Sequence, residues 1–420
     1  MLDPKIIRED PELVRQSLVN RGFDLTYFER FLEIDNRWRA LIDEGNRLKA
    51  QRNKCAQEIP KLGEEEKRKL IGEMRTLSER VQQIESEEVS IEKERDEILQ
   101  NIPNIPHVSV PVGSSDADDV IVRYSSEVRK FDFKPLSHWE LGERLDIIDF
   151  ERGTKIAMSG FYVLKGLGAR LERALINFML DLHLKQGYKE IFPTVLINEK
   201  SCFGTGQLPK MKEDMYHIEA DNLFLNPTAE VPVTNLHSDE ILSIDQLPIL
   251  YDAYLPSFRR EAGKHIETKG IGRVHQFNKV ELVKFVVPET SMDHLESLLK
   301  NAEEVVQLLG LPYRIKLLCT GDLGFHSAKT YDIEAHAPGM DQWLEVSSCS
   351  NFLDFQARRA MIKFRRAPHL KSEFVHTLNG SGIALPRTMI SVMENYQTRD
   401  GLIEIPAILR NYMGGIERIE

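Results

Sequence analysis

Cysteine is scarce and unpaired in this chain. Four cysteines in 420 residues, Cys55, Cys202, Cys319 and Cys349, form no CxxC pair, which argues against a disulfide framework or a cysteine-rich zinc site and points to a reducing cytoplasm. Long apolar runs are missing as well. No uninterrupted stretch approaches the roughly 20 residues that span a bilayer, and the opening MLDPKIIREDPELV carries acids and prolines where a secretory leader has a basic segment and an apolar one. No membrane span and no export signal are expected. Positive charge is not in surplus either, since 55 Lys and Arg stand against 66 Asp and Glu, a formal net charge of -11. A nucleic-acid partner stays possible, because binding depends on where basic groups cluster and not on their sum.

With 41% hydrophobic and 29% charged residues, the composition is that of a soluble globular protein. Its length suggests two or three domains. Asp10-Pro11-Glu12 suits the start of a helix in a short capping region. From Phe28 to Leu62 a heptad runs through Phe31, Trp38, Gly45, Arg52 and Ile59, interleaved with Ile34, Leu41, Leu48, Cys55 and Leu62. A second heptad answers it, in which Leu70, Leu77, Ile84, Ile91 and Ile98 alternate with Met74, Val81, Glu88, Arg95 and Ile102. Gly63 sits in the break. The pattern predicts an antiparallel helical hairpin, an arm on the order of 50 Å long at 1.5 Å per residue.

Such an arm can simply dimerise or act as a spacer, but its charges are unevenly placed. Around the break stand eight basic residues (Arg47, Lys49, Arg52, Lys54, Lys61, Lys67, Arg68 and Lys69) and four acids, whereas the rest of residues 27–102 holds seven basic residues and fourteen acids. An acidic shaft with a basic tip suits contact with a phosphate backbone.

IPNIPHVSVPVGSSDADD is rich in proline, serine and aspartate and reads as a linker near residues 103–120. The expected division is therefore an N-terminal domain at 1–102, the linker, and a second domain at 121–420. In that second domain a helix is expected from Ala169 to Gln186, and GYKEIFPTVLI reads as a glycine turn and a strand stopped at Pro193. Strands then predominate, interrupted by a helix near Ser291 to Leu309 and closed by one from about Arg387 to Tyr396. Strands and helices do not alternate regularly, so the fold class is α+β with an antiparallel sheet. Within it, LPSFRREAGKHIETKGIGRVHQFNKVELVKF (255–285) places Arg259, Arg260 and Glu261 before a loop and an alternating strand after it. Arginines there can hold a phosphate and stack on a purine. A surface hairpin with solvated charges would show the same pattern.

Three separated segments, YKEIFPTVLI, the FRREAG to HQFNKVELV hairpin and LNGSGIALPRTMISVMENYQ, together resemble the three motifs of class II aminoacyl-tRNA synthetases. NPTAEVPVTNLH, LCTGDLGFHSAKTYDIEA, EVSSCSNFLDFQARR and IPAILRNYMGG narrow the resemblance to seryl-tRNA synthetases, and the N-terminal hairpin belongs to that pattern too. The resemblance covers practically the whole chain. It implies activation of L-serine with ATP and Mg2+, release of pyrophosphate, and transfer of serine to the terminal adenosine of tRNA(Ser). Whether tRNA(Sec) is also charged stays open.

By the same resemblance, Thr228, Ala229, Glu230, Glu281 and Ser381 form the serine pocket, with Glu230 facing the ammonium and Glu281 accepting from the hydroxyl. Arg259 would bridge the α-phosphate and the serine carboxylate. Arg260, Glu261, Val274, Phe277, Glu345, Val346, Ser347, Ser348 and Arg387 would bind ATP, with Phe277 stacking on adenine, Arg387 at the γ-phosphate, and Glu345 and Ser348 carrying Mg2+. The basic tip would read tRNA, and a homodimer is implied, with no membrane or DNA partner. Two features depart from the pattern: the loop Lys264 to Glu267 is one residue short, and Leu385-Pro386 stands where a small residue and a glycine are common. A carrier-protein ligase of the same fold would lack the arm, and a non-catalytic paralogue would be expected to lose residues such as Arg259, Glu281 or Arg387.

Overall fold

A computed structural model of the protein describes residues 1–125, 127–262 and 270–420. The motif 2 loop Lys264 to Glu267 lies outside the described residues. The chain divides into two units, one made of residues 9–19 and 23–103, the other of residues 1–8, 20–22 and 104–420.

In the first unit, helix α1 (Pro11–Asn20) begins with proline, and Asp10 Oδ1 accepts from the Leu13 amide at 3.0 Å. The cap and the proline stop the chain from continuing the preceding turn. Two long antiparallel helices follow, α2 (Thr26–Glu58) and α3 (Glu64–Leu99), joined by a 3-10 turn at Ile59–Lys61 and by Gly63. Their seam buries Ile34, Leu41, Ile84 and Ile91, with Trp38, Leu48 and Ile98 packed beside them. At Gly45 a Cβ would stand 3.3 Å from Ile84 Cγ2, so the missing side chain lets the helices approach closely. Arg95 takes an apolar heptad position by laying its guanidinium 4.0 Å over the Trp38 ring and donating to Asp96 at 2.7 Å. This cation–π contact stands in for a hydrophobic knob.

Toward the turn the packing thins. Between Asn46 and Arg80 no residue is fully buried, so Arg52, Cys55, Ile59, Leu70, Met74 and Leu77 make a half-open seam. Ion pairs between the helices run from Arg30–Glu94 at 2.8 Å to Lys49–Glu85 at 2.9 Å. Among the described residues, Arg47, Arg52, Lys54, Lys61, Arg68 and Lys69 make no ion pair. Their charge is left for solvent or a partner.

The second unit is built on an eight-stranded sheet. In chain order its strands are β1 (Val120–Tyr124), β2 (Lys189–Glu190), β3 (Ile249–Phe258), β4 (Gln276–Val286), β5 (Tyr313–Leu317), β6 (Lys329–Ala337), β7 (Gln342–Asn351) and β8 (His376–Ala384). Their spatial order is β1-β5-β6-β7-β8-β4-β3-β2, antiparallel throughout except for the parallel pair β2 and β3. Helices α4 (Gly166–Lys185), α5 (Ser291–Leu308) and α7 (Leu385–Asn395) contribute to one large core, with α6 (Phe355–Ala360) placed elsewhere. Alternation along β4 sends Val280 and Leu282 into that core and leaves Lys279 and Glu281 on the opposite face, while Phe277 packs at the core's edge.

The segment read as a linker is tied down along much of its length. Asn104 is 4% exposed and donates to the carbonyls of His326 and Phe352 at 2.9 and 2.8 Å, and the amides of Thr320 and Gly321 donate to Pro111 and Gly113. Proline denies this stretch a ladder of its own, yet its carbonyls still find partners. Two bulges shape the sheet. Gly382 is the extra residue of β8 opposite Val280 and Glu281, and Val346 is the extra residue of β7 opposite Ile333 and Glu334. Each re-aims the residues that follow it, and both lie beside the same cavity.

Candidate active site

A cavity of about 240 Å³ opens over the face of β4 that carries Phe277 and Lys279. Arg259, Glu261, Arg273 and Val274 wall it from the hairpin, and Glu345, Ser381, Pro386 and Arg387 close it from β7, β8 and the start of α7. Arg259 follows β3 directly; its amide donates to the His275 carbonyl at 2.9 Å, so the strand pairing fixes its backbone. Its Nε donates to the Pro227 carbonyl at 3.3 Å, and its guanidinium carbon lies 5.1 Å from the Phe277 ring centre. Burial lowers its pKa, opposed by Glu261 and Glu345. A guanidinium stays charged through such a shift.

Arg387 stands in the first turn of α7, where Pro386 sacrifices no intrahelical bond. It donates to the Glu345 carbonyl at 2.8 Å and to its Oε2 at 3.1 Å, and its Nε donates to the Gly272 carbonyl at 3.3 Å. Glu261 has φ of 49°, a turn conformation that directs its carboxylate toward Arg273, 3.5 Å away. The cavity wall thus presents three arginines and Lys279 against Glu261 and Glu345. That excess of fixed positive charge suits a polyanion.

A second cluster of polar groups is buried around Glu281. Its Oε2 accepts from Thr228 Oγ1 at 2.6 Å and lies 2.5 Å from Lys279 Nζ, while Oε1 accepts from Asn379 Nδ2 at 3.0 Å. Glu230 is 5% exposed and accepts from Gln356 Nε2 at 2.7 Å and Asn379 Nδ2 at 3.1 Å. Burial, and then repulsion by Glu281, raises its pKa to about 7. Two acidic groups this close to one amide cannot both ionise without cost.

Several expected site residues lie elsewhere. Arg260 does not line the cavity; its amide and side chain donate to the carbonyls of Asp214 and Glu213 at 2.8 and 3.3 Å. Val346 is fully buried at the bulge, and Ser347 spends its hydroxyl on the Ser381 carbonyl at 2.6 Å. The bulge breaks the strand's alternation at this point, so that Val346 turns into the core and Ser347 reaches the neighbouring strand. The Ala229 side chain packs in an apolar cluster with Val233, Leu255 and Val283. Sequence reasoning missed Lys279, Asn379, Gln356, Arg273 and Asp332. Lys279 and Asn379 could have been found two residues before Glu281 and Ser381, on the same strand faces. Gln356 arrives from α6 with no local signal.

For a cation, the available donors are oxygens. Glu345 offers a half-exposed carboxylate and Ser348 a hydroxyl, on the strand position directly opposite Asp332. Asp332 Oδ1 is buried without a partner, and burial with repulsion by Glu345 holds this carboxyl well above its usual range. No group of three or more His, Cys, Asp or Glu side chains that could hold a metal occurs among the described residues. The set therefore fits a hard ion such as Mg2+, which keeps waters and shares one or two carboxylates with phosphates, and not a tightly caged metal.

An antiparallel sheet bearing one arginine at a hairpin, another at the start of the closing helix and a buried carboxylate pair near the first defines the catalytic core of a class II aminoacyl-tRNA synthetase. A model of the tRNA synthetase class II core domain (G, H, P, S and T) matches residues 215–396, and one of the seryl-tRNA synthetase N-terminal domain matches residues 1–106. The chain is 53% identical over 420 residues to a serine--tRNA ligase of Thermodesulfovibrio yellowstonii, covering 99% of each. It is 53% identical over 422 residues to one of Methanosarcina barkeri, covering 100% of this chain and 99% of the relative. The crystal structure of seryl-tRNA synthetase from Pyrococcus horikoshii complexed with ATP superposes with a TM-score of 0.95 at 38% identity, over 100% of this chain and 99% of that one. This chain belongs to the seryl-tRNA synthetase family.

Proposed function

We propose that the chain joins L-serine to ATP as seryl-adenylate, releasing pyrophosphate, and passes the seryl group to the terminal adenosine of tRNA(Ser). The observation that carries this reading is the buried Glu230–Glu281 pair beside Arg259, because it offers separate acceptors for an ammonium and a hydroxyl next to a charge that suits a phosphate. In this reading Glu230 holds the ammonium, Glu281 takes the hydroxyl hydrogen bond, and Arg259 draws the serine carboxylate toward the α-phosphorus. Attack there forms the mixed anhydride and expels pyrophosphate. Arg259 stabilises the charge that develops, Phe277 stacks on adenine beside Glu261 and Val274, and Arg387 holds the far phosphates. Glu345 and Ser348, with Asp332 behind Ser348, would hold Mg2+, which neutralises phosphate charge when bound. No side-chain nucleophile is needed.

The basic residues near the arm's turn are proposed to grip the tRNA backbone. Acylation should weaken steeply with salt while tRNA-independent activation does not, since only the former releases counterions. Measuring both rates between 50 and 200 mM KCl checks this. We also propose a homodimer, supported by the edge position of β2 and by Phe192 beyond it, 78% exposed.

Charging assays with tRNA(Ser), tRNA(Sec) and an unrelated tRNA test the reading. Seryl transfer to tRNA(Ser) and none to the unrelated tRNA is expected, and failure to charge any acceptor would sink it. Glu281→Ala should reduce the preference for serine over alanine, read as the ratio of kcat/KM in exchange, by about tenfold, the worth of one hydrogen bond to a charged acceptor.

A further inference from the structure

The site holds two buried carboxylates and gives a buried lysine to only one of them. Lys279, 7% exposed, places Nζ 2.5 Å from Glu281 Oε2 and 3.3 Å from Thr228 Oγ1. Glu281 therefore has a cation, a hydroxyl and an amide around it. Glu230 has two neutral amides, Gln356 and Asn379, and shares the second of these with Glu281. Carboxylates accept but do not donate once ionised, so a like-charged pair at one amide favours a single negative charge. The side that holds the lysine keeps that charge.

We infer that Lys279 is a positioning residue that fixes the negative charge on Glu281 and leaves the pair's proton on Glu230, so that serine binds by exchanging its ammonium for that proton. This rests on the serine-activation reading and adds to it which carboxylate is ionised before the substrate arrives. The charged groups facing Glu230 are Glu281 and Lys279 from β4 and Arg259 from the end of β3, while Gln356 of α6 and Asn379 of β8 are neutral. Lys279 and Arg259 oppose the upward shift of Glu230, and burial with Glu281 outweighs them. Free enzyme holds the proton on Glu230 below about pH 7 and bound enzyme does not, so binding releases a proton there. Affinity for serine rises with pH and levels off above that value. An ionised Glu281 can only accept, which favours the serine hydroxyl over the alanine methyl.

The test follows the KM for serine in pyrophosphate exchange at saturating ATP and magnesium, from pH 6 to 8.5, for the wild type, Lys279→Gln and Lys279→Arg. Serine titrations by calorimetry at pH 6.5, in two buffers of different ionisation enthalpy, count the proton directly. The wild type should show KM falling about tenfold between pH 6 and pH 8, with proton release at pH 6.5. Lys279→Arg should keep the profile. Lys279→Gln should move its midpoint upward and reduce the preference for serine over alanine, with less change in kcat than in KM. A flat wild-type KM with buffer-independent heats overturns the inference, as does a Lys279→Gln enzyme with the wild-type midpoint and preference. If Lys279→Gln does not fold, the wild-type and Lys279→Arg profiles still decide. Exchange with a flat serine profile sinks this inference alone, whereas no exchange with serine at any pH sinks the activation reading with it.

Discussion

Arg259→Met is expected to cut serine-dependent pyrophosphate exchange by about 10³-fold or more while the protein stays folded. Methionine keeps much of the apolar stem beside Phe277 and removes only the charged fork, which among the described residues is held by one hydrogen bond, to the Pro227 carbonyl. Nothing in the core depends on that fork. The loss should appear in both kcat and the KM for serine, because Arg259 meets the serine carboxylate in the ground state as well as the charge that develops in the transition state. Arg259→Lys should recover little, since an ammonium cannot bridge two oxyanions with a planar pair of donors. Thermal melting within a few degrees of the wild type is the control. Exchange within tenfold of the wild type would remove Arg259 from the chemistry.

Replacing Arg47, Arg52, Lys54, Lys61, Arg68 and Lys69 with glutamine should split the two half-reactions. Pyrophosphate exchange should stay at the wild-type rate, because these residues lie between positions 47 and 69 in the unit formed by the helical hairpin. The KM for tRNA should rise by about 10²-fold or more, and the slope of log affinity against log salt should shrink by about one for each phosphate left unneutralised. None of the six makes an ion pair among the described residues, and the seam near the turn is already half open, so their replacement should not unfold the arm. An unchanged KM for tRNA would make the arm a spacer.

The arm was legible in the sequence because two heptads write its seam directly, and Gly63 marks the turn. What the heptads did not tell was how Arg95 fits among apolar positions, which takes the Trp38 ring on the facing helix. Helices at 166–185, 291–308 and 385–395 fall within a few residues of their expected bounds. The strand before Pro193 is shorter than its pattern suggests, pairing at Lys189 and Glu190 with one further bond from the Ile191 amide to the Asp252 carbonyl. In the site, Arg259, Glu261, Phe277 and Arg387 could be picked out by motif and do meet around one cavity. Arg260, Val346 and Ser347 share those motifs but do not line the cavity, because Arg260 lies past the end of β3 and bonds the carbonyls of Asp214 and Glu213, and the bulge at Val346 breaks the period by which a strand's faces are read. Asn379 and Gln356 matter through bonds to Glu230 from positions 149 and 126 residues away. Such contacts are set by the tertiary fold and leave no mark in local sequence.

The most direct test of the central claim is amino-acid-dependent exchange of pyrophosphate into ATP on purified protein, with no tRNA added. Serine, threonine, alanine, cysteine and glycine would be compared in parallel. Strong exchange with serine alone is the predicted result, and it would leave only the choice of tRNA to charging assays. No exchange with any amino acid, in folded protein that still binds ATP, would contradict the account, and exchange driven by another amino acid would mean that Glu230 and Glu281 serve a different substrate.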